Sequence, residues 1–509
     1  METIDSFLNK ITMYKLTLYY LIGLLGVAVI LSFFHLLSYN PLDIIISTLI
    51  IVGVSVIANF LFAKIFNAVT NVESVFITAL IIALIIPLTY PVNLIFFIEA
   101  GILSMGVKYF LTVNKRHLFN PAAAAIVIIA LLTNYSATWW VGTPVMLPFV
   151  ALGGFLLMRK TRKETLVFNF LLAYFLIVGA GAAISNGSIF SIINVWQHSV
   201  LNSALLFFTF VMLTEPMTSP TTEKLQGYYG YLVALLYATP QIRLISVALT
   251  PEMALCIGNI FSYIMSPNYR LDLSLKWKKQ LSTDTFAFAF KRIPDLKFIP
   301  GQYMEWTLPH KNADSRGNRR YFSVASSPTE ENIIMAVKFY TPSSSYKKKL
   351  LSLNTGEKII AAQVAGDFTL PENLKKPLVF IAGGVGIAPF RSMIQYIIDK
   401  NLSADIILLY TNRTKEDILF SDIFERAKPQ GVKTIYNLTD LKSVPEDWQG
   451  TTGYITKELI QKEIPNYQNR VYYLSGPQLM VQNFERTLLD AGVKQNKIKT
   501  DFFPGYSEK

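Results

Sequence analysis

Cysteine is almost missing, with Cys256 the single one in 509 residues. A disulfide within the chain is excluded, and so is an iron–sulfur cluster held by four cysteine thiolates. Histidine is scarce as well: His35, His117 and His198 lie on widely separated segments of the N-terminal half and His310 in the other half. Two bis-histidine haems cannot be assembled from that set, which argues against a ferric-reductase-like enzyme. No metal site is expected. Charge is absent over long runs, since residues 16–37, 44–63 and 74–98 contain no Asp, Glu, Lys or Arg. Each run reaches the ~20 apolar residues that cross a bilayer.

What is present divides the chain in two. A hydrophobic content of 52% and a mean hydropathy of +0.38 exceed what a soluble chain carries, yet from about Arg270 onward charges are dense and no run is long enough to span. Met1 to Lys15 carries Glu2, Asp5, Lys10 and Lys15, and the following run is too long for a signal-peptide core, so no cleavage is expected. The net charge of +12 reflects topology rather than a nucleic-acid partner. Segments with Lys64, with Lys108, Lys115 and Arg116, and with Arg159, Lys160, Arg162 and Lys163 alternate with segments free of basic residues. This is the positive-inside pattern. It predicts ten spans, near residues 15–38, 43–64, 73–90, 91–112, 120–133, 141–158, 165–184, 197–215, 227–239 and 248–266. Both termini and the C-terminal half then face the cytoplasm, in a multi-pass protein of the inner membrane.

The predicted spans contain an internal repeat. Pro87-Leu88-Thr89-Tyr90-Pro91 closes the third span and Pro216-Met217-Thr218-Ser219-Pro220 the eighth; Asn120-Pro121 opens the fifth and Thr250-Pro251 the tenth. Five spans separate the members of each pair, and an odd number inverts the second copy. Backbone broken by proline at membrane depth is tolerated only where it lines a cavity or is packed in protein, so a central site is expected. Glu99, Glu215 and Glu252 qualify as intramembrane acids, and such acids usually face a bundle interior or water.

Several segments of this half carry a resemblance: Ser74-Val75-Phe76-Ile77-Thr78-Ala79-Leu80, Phe119-Asn120-Pro121-Ala122-Ala123, Trp140-Val141-Gly142, Leu213-Thr214-Glu215-Pro216-Met217-Thr218-Ser219-Pro220 and Pro251-Glu252. Over residues 73–266 the chain resembles the D subunit of Rnf electron-transport complexes and the B subunit of sodium-pumping NADH:quinone reductase. The resemblance implies flavin (FMN or riboflavin) in the membrane half and electron movement within it, with Glu99, Asn120, Thr138, Glu215 and Thr218 as candidate site residues. In the family, FMN hangs from a threonine of a Ser/Thr-x-Ala-Thr motif on a long loop. Here the loop is short and its nearest counterpart is Tyr135-Ser136-Ala137-Thr138. The competing reading of this loop is interfacial, anchored by Trp139 and Trp140.

The C-terminal half carries three motifs in order. Pro300-Gly301-Gln302-Tyr303 precedes Arg320-Tyr321-Phe322-Ser323 in alternating segments that predict a small antiparallel β-barrel. Such residues suit FAD: an arginine for the pyrophosphate, a ring against the isoalloxazine, a hydroxyl for the flavin N5. Next, the strand 378–381 leads through Ala382-Gly383-Gly384-Val385-Gly386-Ile387-Ala388-Pro389 into a helix. A glycine turn between strand and helix lets backbone and helix N-terminus approach a dinucleotide. Last, Leu474-Ser475-Gly476-Pro477 with Met480 ends another strand, and Tyr410-Thr411-Asn412-Arg413 ends a third.

Together the motifs resemble the ferredoxin–NADP reductase superfamily over residues 270–506. The expected fold is thus a polytopic α-helical membrane domain (1–268), an antiparallel FAD-binding β-barrel (269–371) and an α/β nucleotide-binding domain (372–509). The resemblance implies FAD held by Arg320, Tyr321, Phe322, Ser323 and Val337, with Ser344 and Ser345 meeting its pyrophosphate and Phe503 or Tyr506 covering the flavin. It implies NADPH or NADH on Gly383, Gly384, Gly386, Ile387, Ala388, Pro389, Tyr410, Arg413, Ser475, Gly476, Pro477 and Met480. Ser323 and Ser475 are the candidate catalytic residues. Phe322 stands where tyrosine is commoner, and Ser475 where cysteine is usual. Arg413 can clamp a 2′-phosphate or simply be solvated. The expected function is a membrane flavoprotein oxidoreductase that oxidises NAD(P)H and passes electrons toward an extracytosolic flavinylated protein or a quinone. A transporter or ion channel with a reductase-like redox sensor is the alternative.

Overall fold

The computed structural model describes residues 4, 7–8, 11–68, 71–88, 90–113, 116–133, 135–240, 243–244, 247–266, 270–294, 296–314 and 316–503. Two compact units make up the chain, Met1–Tyr269 and Arg270–Lys509.

The first unit is helical: α1 (Met13–Phe33), α2 (Pro41–Ile65), α3 (Val72–Ile85), α4 (Leu94–Phe110), α5 (Pro121–Leu132), α6 (Leu147–Thr161), α7 (Glu164–Asn186), α8 (Ile189–Leu201), α9 (Leu205–Phe207), α10 (Glu223–Ala238) and α11 (Pro251–Met265). Helix α9 runs on as a π-helix, Phe208–Met212. Among the described residues α1, α2 and α7 are long and apolar enough to cross a membrane, and α8 with α9 and the π-turn forms a pair bent by 64° that passes the same test. The mechanism that starts α5 and α11 is visible in sequence: Asn120 and Thr250 cap the first turn through Ala123 N (3.0 Å) and Met253 N (3.3 Å), each followed by a proline at the first helical position. Proline lacks the N–H that would be orphaned there. Leu49, Ile57, Phe60 and Leu61 of α2 and Ile184 of α7 point outward, as lipid-facing residues do. Phe96, Phe97, Phe207, Phe208 and Leu84 fill the interior.

The second unit holds two sheets. One is antiparallel, with β1 (Arg270–Ser282), β2 (Thr285–Lys291), β3 (Tyr303–Thr307), β4 (Arg319–Ser323), β5 (Asn332–Lys338) and β6 (Lys358–Ala365) in the order β4-β3-β6-β1-β2-β5. Its apolar face closes over Phe288, Phe290, Met304 and Trp306, with helix α12 (Ser345–Leu351) supplying Tyr346 and Leu350. The other sheet is parallel: β7 (Leu378–Gly383), β8 (Ile406–Asn412), β9 (Val432–Leu438), β10 (Thr451–Thr452), β11 (Val471–Pro477) and β12 (Ile498–Phe503), in the order β10-β9-β8-β7-β11-β12. Every residue of β7 and β8 is buried, as expected for strands covered on both faces. The helices are α13 (Ala388–Asp399), α14 (Ser421–Arg426), α15 (Lys457–Glu463) and α16 (Gln478–Asp490). Strand order runs outward from β7 to β10 on one side and from β11 to β12 on the other, so the order reverses between β7 and β11. Ligands of open α/β sheets bind at such a switch point, beyond the carboxyl ends of the strands.

Candidate functional site

The switch point is where two of the three motifs meet. The end of β7 turns at Gly383 and Gly384 into a 3-10 turn (Gly384–Ile387) that feeds α13. Gly384 has φ +52°, a left-handed conformation that glycine adopts without penalty. Gly386 passes so close to β11 that a Cβ there would lie 2.4 Å from Ser475 O and 2.6 Å from Gly476 Cα. At Gly383 a Cβ would meet Met480 Sδ at 2.2 Å. The glycines therefore bring the turn against the end of β11, and Pro477 follows Gly476 as the last residue of that strand.

Ser475 is fully buried, and its Oγ has no hydrogen-bond partner among the described residues. Ser323, at the end of β4 and 3% exposed, has an unpartnered Oγ too. A buried hydroxyl without a partner loses about 1–3 kcal/mol of desolvation with no return. Two such hydroxyls at the residues expected to face flavin and nicotinamide fit a site whose polar contacts are made by cofactors.

Around Arg320 the charges are organised for an anion. Its guanidinium donates to Arg316 O (2.9 Å), Gly317 O (3.2 Å) and Arg319 O (2.6 Å) and lies 5.0 Å over the Tyr346 ring. Asp314 approaches it to 3.7 Å and accepts from Ser345 N at 2.8 Å, while Ser345 Oγ accepts from Asp314 N (2.9 Å) and lies 3.0 Å from His310 Nε2. Burial raises the Asp314 pKa, but amide hydrogen bonds from Ser345 and Arg316 and the Arg316 charge outweigh it and hold the carboxyl below its ordinary range. Ser344 caps α12 through Lys347 N at 3.3 Å. Burial, then Arg320 and Arg316, lower the Lys347 ammonium to about 8. Arg316, Arg320 and the Ser345 N–H already hold one carboxylate, and such a set suits the oxygens of a pyrophosphate.

Other expected site residues are placed differently from one another. Tyr321 is exposed and donates from its hydroxyl to Glu305 Oε2 at 2.9 Å, its ring edge-on to Tyr303. Phe322 packs 6.2 Å from Tyr346. Val337 belongs to the interior, paired with Phe286 across β2. Tyr410 is fully buried, donating to Gly384 O (3.1 Å) and accepting from Leu419 N (3.2 Å), so it supports the glycine turn from beneath. Ile387, Ala388 and Pro389 are buried at the start of α13, whereas Arg413 is exposed just past β8. Phe503 ends β12 opposite Pro477; Tyr506 lies outside the described residues. Sequence reasoning missed Asn437, whose Nδ2 bonds Thr411 Oγ1 and Gly453 O, each at 3.0 Å, and so levels the ends of β8 and β9. A cleft of about 950 Å³ lined by Trp277, Lys279, Arg391 and Phe420 contains none of the expected cofactor residues.

In the helical unit, Glu215 accepts from Asn120 Nδ2 (2.9 Å) and Thr218 Oγ1 (3.0 Å) and lies 3.8 Å from His117 Nε2. Asn259 joins them, accepting from Asn120 N at 2.9 Å. Glu252 is buried and accepts from Trp139 Nε1 at 2.8 Å, and Trp140 Nε1 donates to Ala83 O at 2.9 Å. The interfacial reading of these tryptophans is thereby corrected: both indoles point inward because buried acceptors satisfy their N–H groups. Thr138 is exposed, with its amide on Ile85 O at 2.8 Å. Glu99 is half-buried on α4, and its carboxyl makes no hydrogen bond or ion pair to a described residue.

Residues 380–486 match the oxidoreductase NAD-binding domain family. Over 206 residues the chain is 30% identical to the F subunit of the Na(+)-translocating NADH-quinone reductase of Haemophilus influenzae, covering 36% of this chain and 48% of that one. It is 33% identical over 146 residues to NADH-cytochrome b5 reductase 1 of Meyerozyma guilliermondii, covering 28% and 50%. The chain thus spans about half the length of the curated relatives it matches. Among solved structures, an Amycolatopsis cytochrome P450 reductase aligns with 47% of this chain and 72% of its own, at 21% identity and a TM-score of 0.42.

Proposed function

We propose that the C-terminal half is a reductase of the ferredoxin–NADP reductase superfamily, and that this chain oxidises NAD(P)H at a cytoplasmic site and delivers the electrons into its own helical half. The observation that carries the reading is the pair of buried, unpartnered hydroxyls, Ser323 Oγ and Ser475 Oγ, at the ends of β4 and β11. FAD, when bound, accepts hydride and releases electrons singly. The chain's own residues orient and shield. Arg320 offers positive charge and Ser345 N–H a hydrogen bond to a pyrophosphate, Phe322 offers a ring face, and Ser323 offers a hydroxyl to the flavin N5. Gly383, Gly384 and Gly386 admit a dinucleotide to backbone distance, and Ser475 directs a hydroxyl to the nicotinamide side. These assignments follow the family motifs, and the burial of both serines supports them.

For the helical half we read ten spans in an inverted repeat, with both termini cytoplasmic. Support comes from α3 and α5, whose 14 and 12 residues give lengths of only about 21 and 18 Å, short of a ~30 Å hydrocarbon core. Broken helices of a repeat have this property. The two copies also exchange partners: Asn120, opening α5, bonds Glu215 in the second proline stretch, and Glu252, opening α11, bonds Trp139, whose amide rests on Ile85 beside the first. Electrons would leave through a flavin in this half toward an extracytosolic flavinylated protein, with quinone as the second acceptor. The Glu215 cluster favours one rival, a transporter sensing redox state through the C-terminal half.

The test is a flavin inventory of detergent-purified protein, with acid-released FAD and FMN quantified and the pellet checked for attached flavin, alongside NADH and NADPH oxidation. FAD plus a second flavin, with turnover, is the expected outcome; pellet fluorescence would show covalent attachment and revive Thr138 as its site. FAD alone without electron delivery to any membrane acceptor would refute the membrane part of the reading, and no NAD(P)H oxidation would refute the whole.

A further inference from the structure

The segment that follows Ser323 and the helix that follows the glycine turn are tied together by contacts that no cofactor motif contains. Arg391, in the first turn of α13 and 7% exposed, donates through Nη1 to Ala325 O at 3.1 Å and forms a two-pronged ion pair with Glu330, its Nη2 lying 2.8 Å from Oε1. The neighbouring Ser392, fully buried, donates to Ser326 O at 2.6 Å. One turn of chain beyond, Thr329 Oγ1 donates to Asp399 Oδ2 at the far end of the same helix. The guanidinium also lies 5.6 Å from the Phe420 ring.

The buried apolar contact across this seam is mostly alanine: Ala287, Ala289 and Ala336 with Ile334 on the antiparallel sheet, Ala325 just after β4, and Ala388 on α13, with the half-buried Leu281, Val385 and Phe420 packed against them. Alanine faces bring the elements close but interlock little, so they define the spacing of the seam and leave its register weakly set. The polar ties define the register. An ion pair with one buried partner, as here with Arg391, recovers little net stability after desolvation, and the best-attested use of such pairs is to select one arrangement over its neighbours. The ties start two residues after Ser323 and four residues after Ile387, where the glycine turn ends. They therefore couple the two strand ends that carry the candidate flavin hydroxyl and the candidate nucleotide turn.

We propose that Arg391 and Ser392 are positioning residues for hydride transfer: by clamping Ala325, Ser326 and Glu330 to the start of α13 they set the separation between the Ser323 end of β4 and the glycine turn. The proposal rests on the NAD(P)H-oxidising function stated above. It concerns geometry alone, since neither side chain needs to touch nucleotide or flavin.

The experiment is anaerobic stopped-flow reduction of the bound FAD by NADH and by NADPH, on the full chain in detergent, comparing parent, Arg391→Lys and Ser392→Ala. Lysine keeps the buried charge but cannot make the two-pronged pair and the Ala325 bond together. The limiting reduction rate should fall by about tenfold or more in Arg391→Lys and several-fold in Ser392→Ala, as expected for a misplaced donor. The half-saturating nucleotide concentration and the FAD content per chain should stay within about twofold. A merely structural role would lower FAD content and melting temperature and leave the limiting rate per bound FAD at the parental value, which would overturn the proposal. Should Arg391→Lys not fold, Ser392→Ala decides, because it deletes one neutral hydrogen bond and leaves the ion pair intact. A parent chain that neither nucleotide reduces would overturn the function on which the proposal rests; an active parent with unaltered variants overturns the clamp alone.

Discussion

Gly386→Ala is the most incisive change the fold offers, because the collision it makes is with backbone. The new Cβ would sit 2.4 Å from Ser475 O, 2.6 Å from Gly476 Cα and 2.7 Å from Gly476 N, against ordinary contacts of 3.4 Å or more. No side-chain rotation relieves it, so the turn and the end of β11 must separate by about 1 Å. Overpacking of a close contact costs about 1–3 kcal/mol, and a rigid backbone places this case at the upper end, which is roughly 6–12 °C in melting temperature for a unit of this size. The same 1 Å moves the turn relative to Ser475, and misplacement on that scale costs on the order of 10²-fold in rate. Gly384→Ala is the internal comparison. Its φ of +52° strains an alanine, but no atom lies within 4 Å of the added carbon, so only a conformational cost of about 1 kcal/mol applies. Differential scanning fluorimetry and anaerobic FAD reduction by NADH and NADPH on the detergent-purified chain measure both. The reasoning is refuted if Gly386→Ala keeps the parental rate within about twofold, or if the two variants lose rate and stability equally.

Three further outcomes follow from the same geometry. Ser323→Ala removes a hydroxyl that bonds nothing among the described residues, so flavin-free protein should melt no lower than the parent while FAD reduction slows on the order of 10²-fold; a drop in melting temperature with an unchanged rate would contradict this. Lys347 has a folded-state pKa of about 8 against 10.5 in an open chain, so the unfolded state binds more protons between those values and stability from this group rises as pH increases from about 8 to 10.5; in flavin-free protein Lys347→Met should abolish that rise, and a parent and variant with parallel pH profiles would refute it. Trp139→Phe withdraws the 2.8 Å donor from buried Glu252 and should cost about 1–3 kcal/mol in detergent unfolding, whereas an unchanged transition would show that the pair carries no weight.

Much of the fold was legible because its signals are local. The stretch 378–399 announces strand, turn and helix through an apolar run, three glycines within four residues and an amphipathic continuation, and β7, the turn and α13 follow it closely. The proline pairs of the helical half were legible for the same reason: Asn120-Pro121 and Thr250-Pro251 each combine a capping side chain with a residue suited to the first helical position. What local signals miss is partnership at long range. Asn259 lies 139 residues from Asn120 and Glu252 113 from Trp139, and nothing in either neighbourhood names the other. Hence the tryptophans looked like interface anchors when read alone, and inward only once their acceptors were placed.

The same asymmetry explains why the two candidate serines and the clamp differ in visibility. Ser323 and Ser475 sit inside short motifs, so sequence can nominate them, yet only structure adds that each hydroxyl is buried and unsatisfied, the condition that makes a waiting contact to a bound group more than a motif match. Arg391 and Glu330 show the reverse. Each reads as an ordinary surface charge, one beside a glycine motif and one in a Thr-Glu-Glu-Asn loop, and 61 residues separate them. Their pairing, with Arg391 buried and Glu330 half-buried, is a property of how the parallel sheet's first helix meets the antiparallel sheet, which no single segment encodes. A site of this kind is therefore read in two stages: the groups that would touch the cofactors come from motifs, and the groups that would hold those motifs in register come from the seam between the layers that carry them.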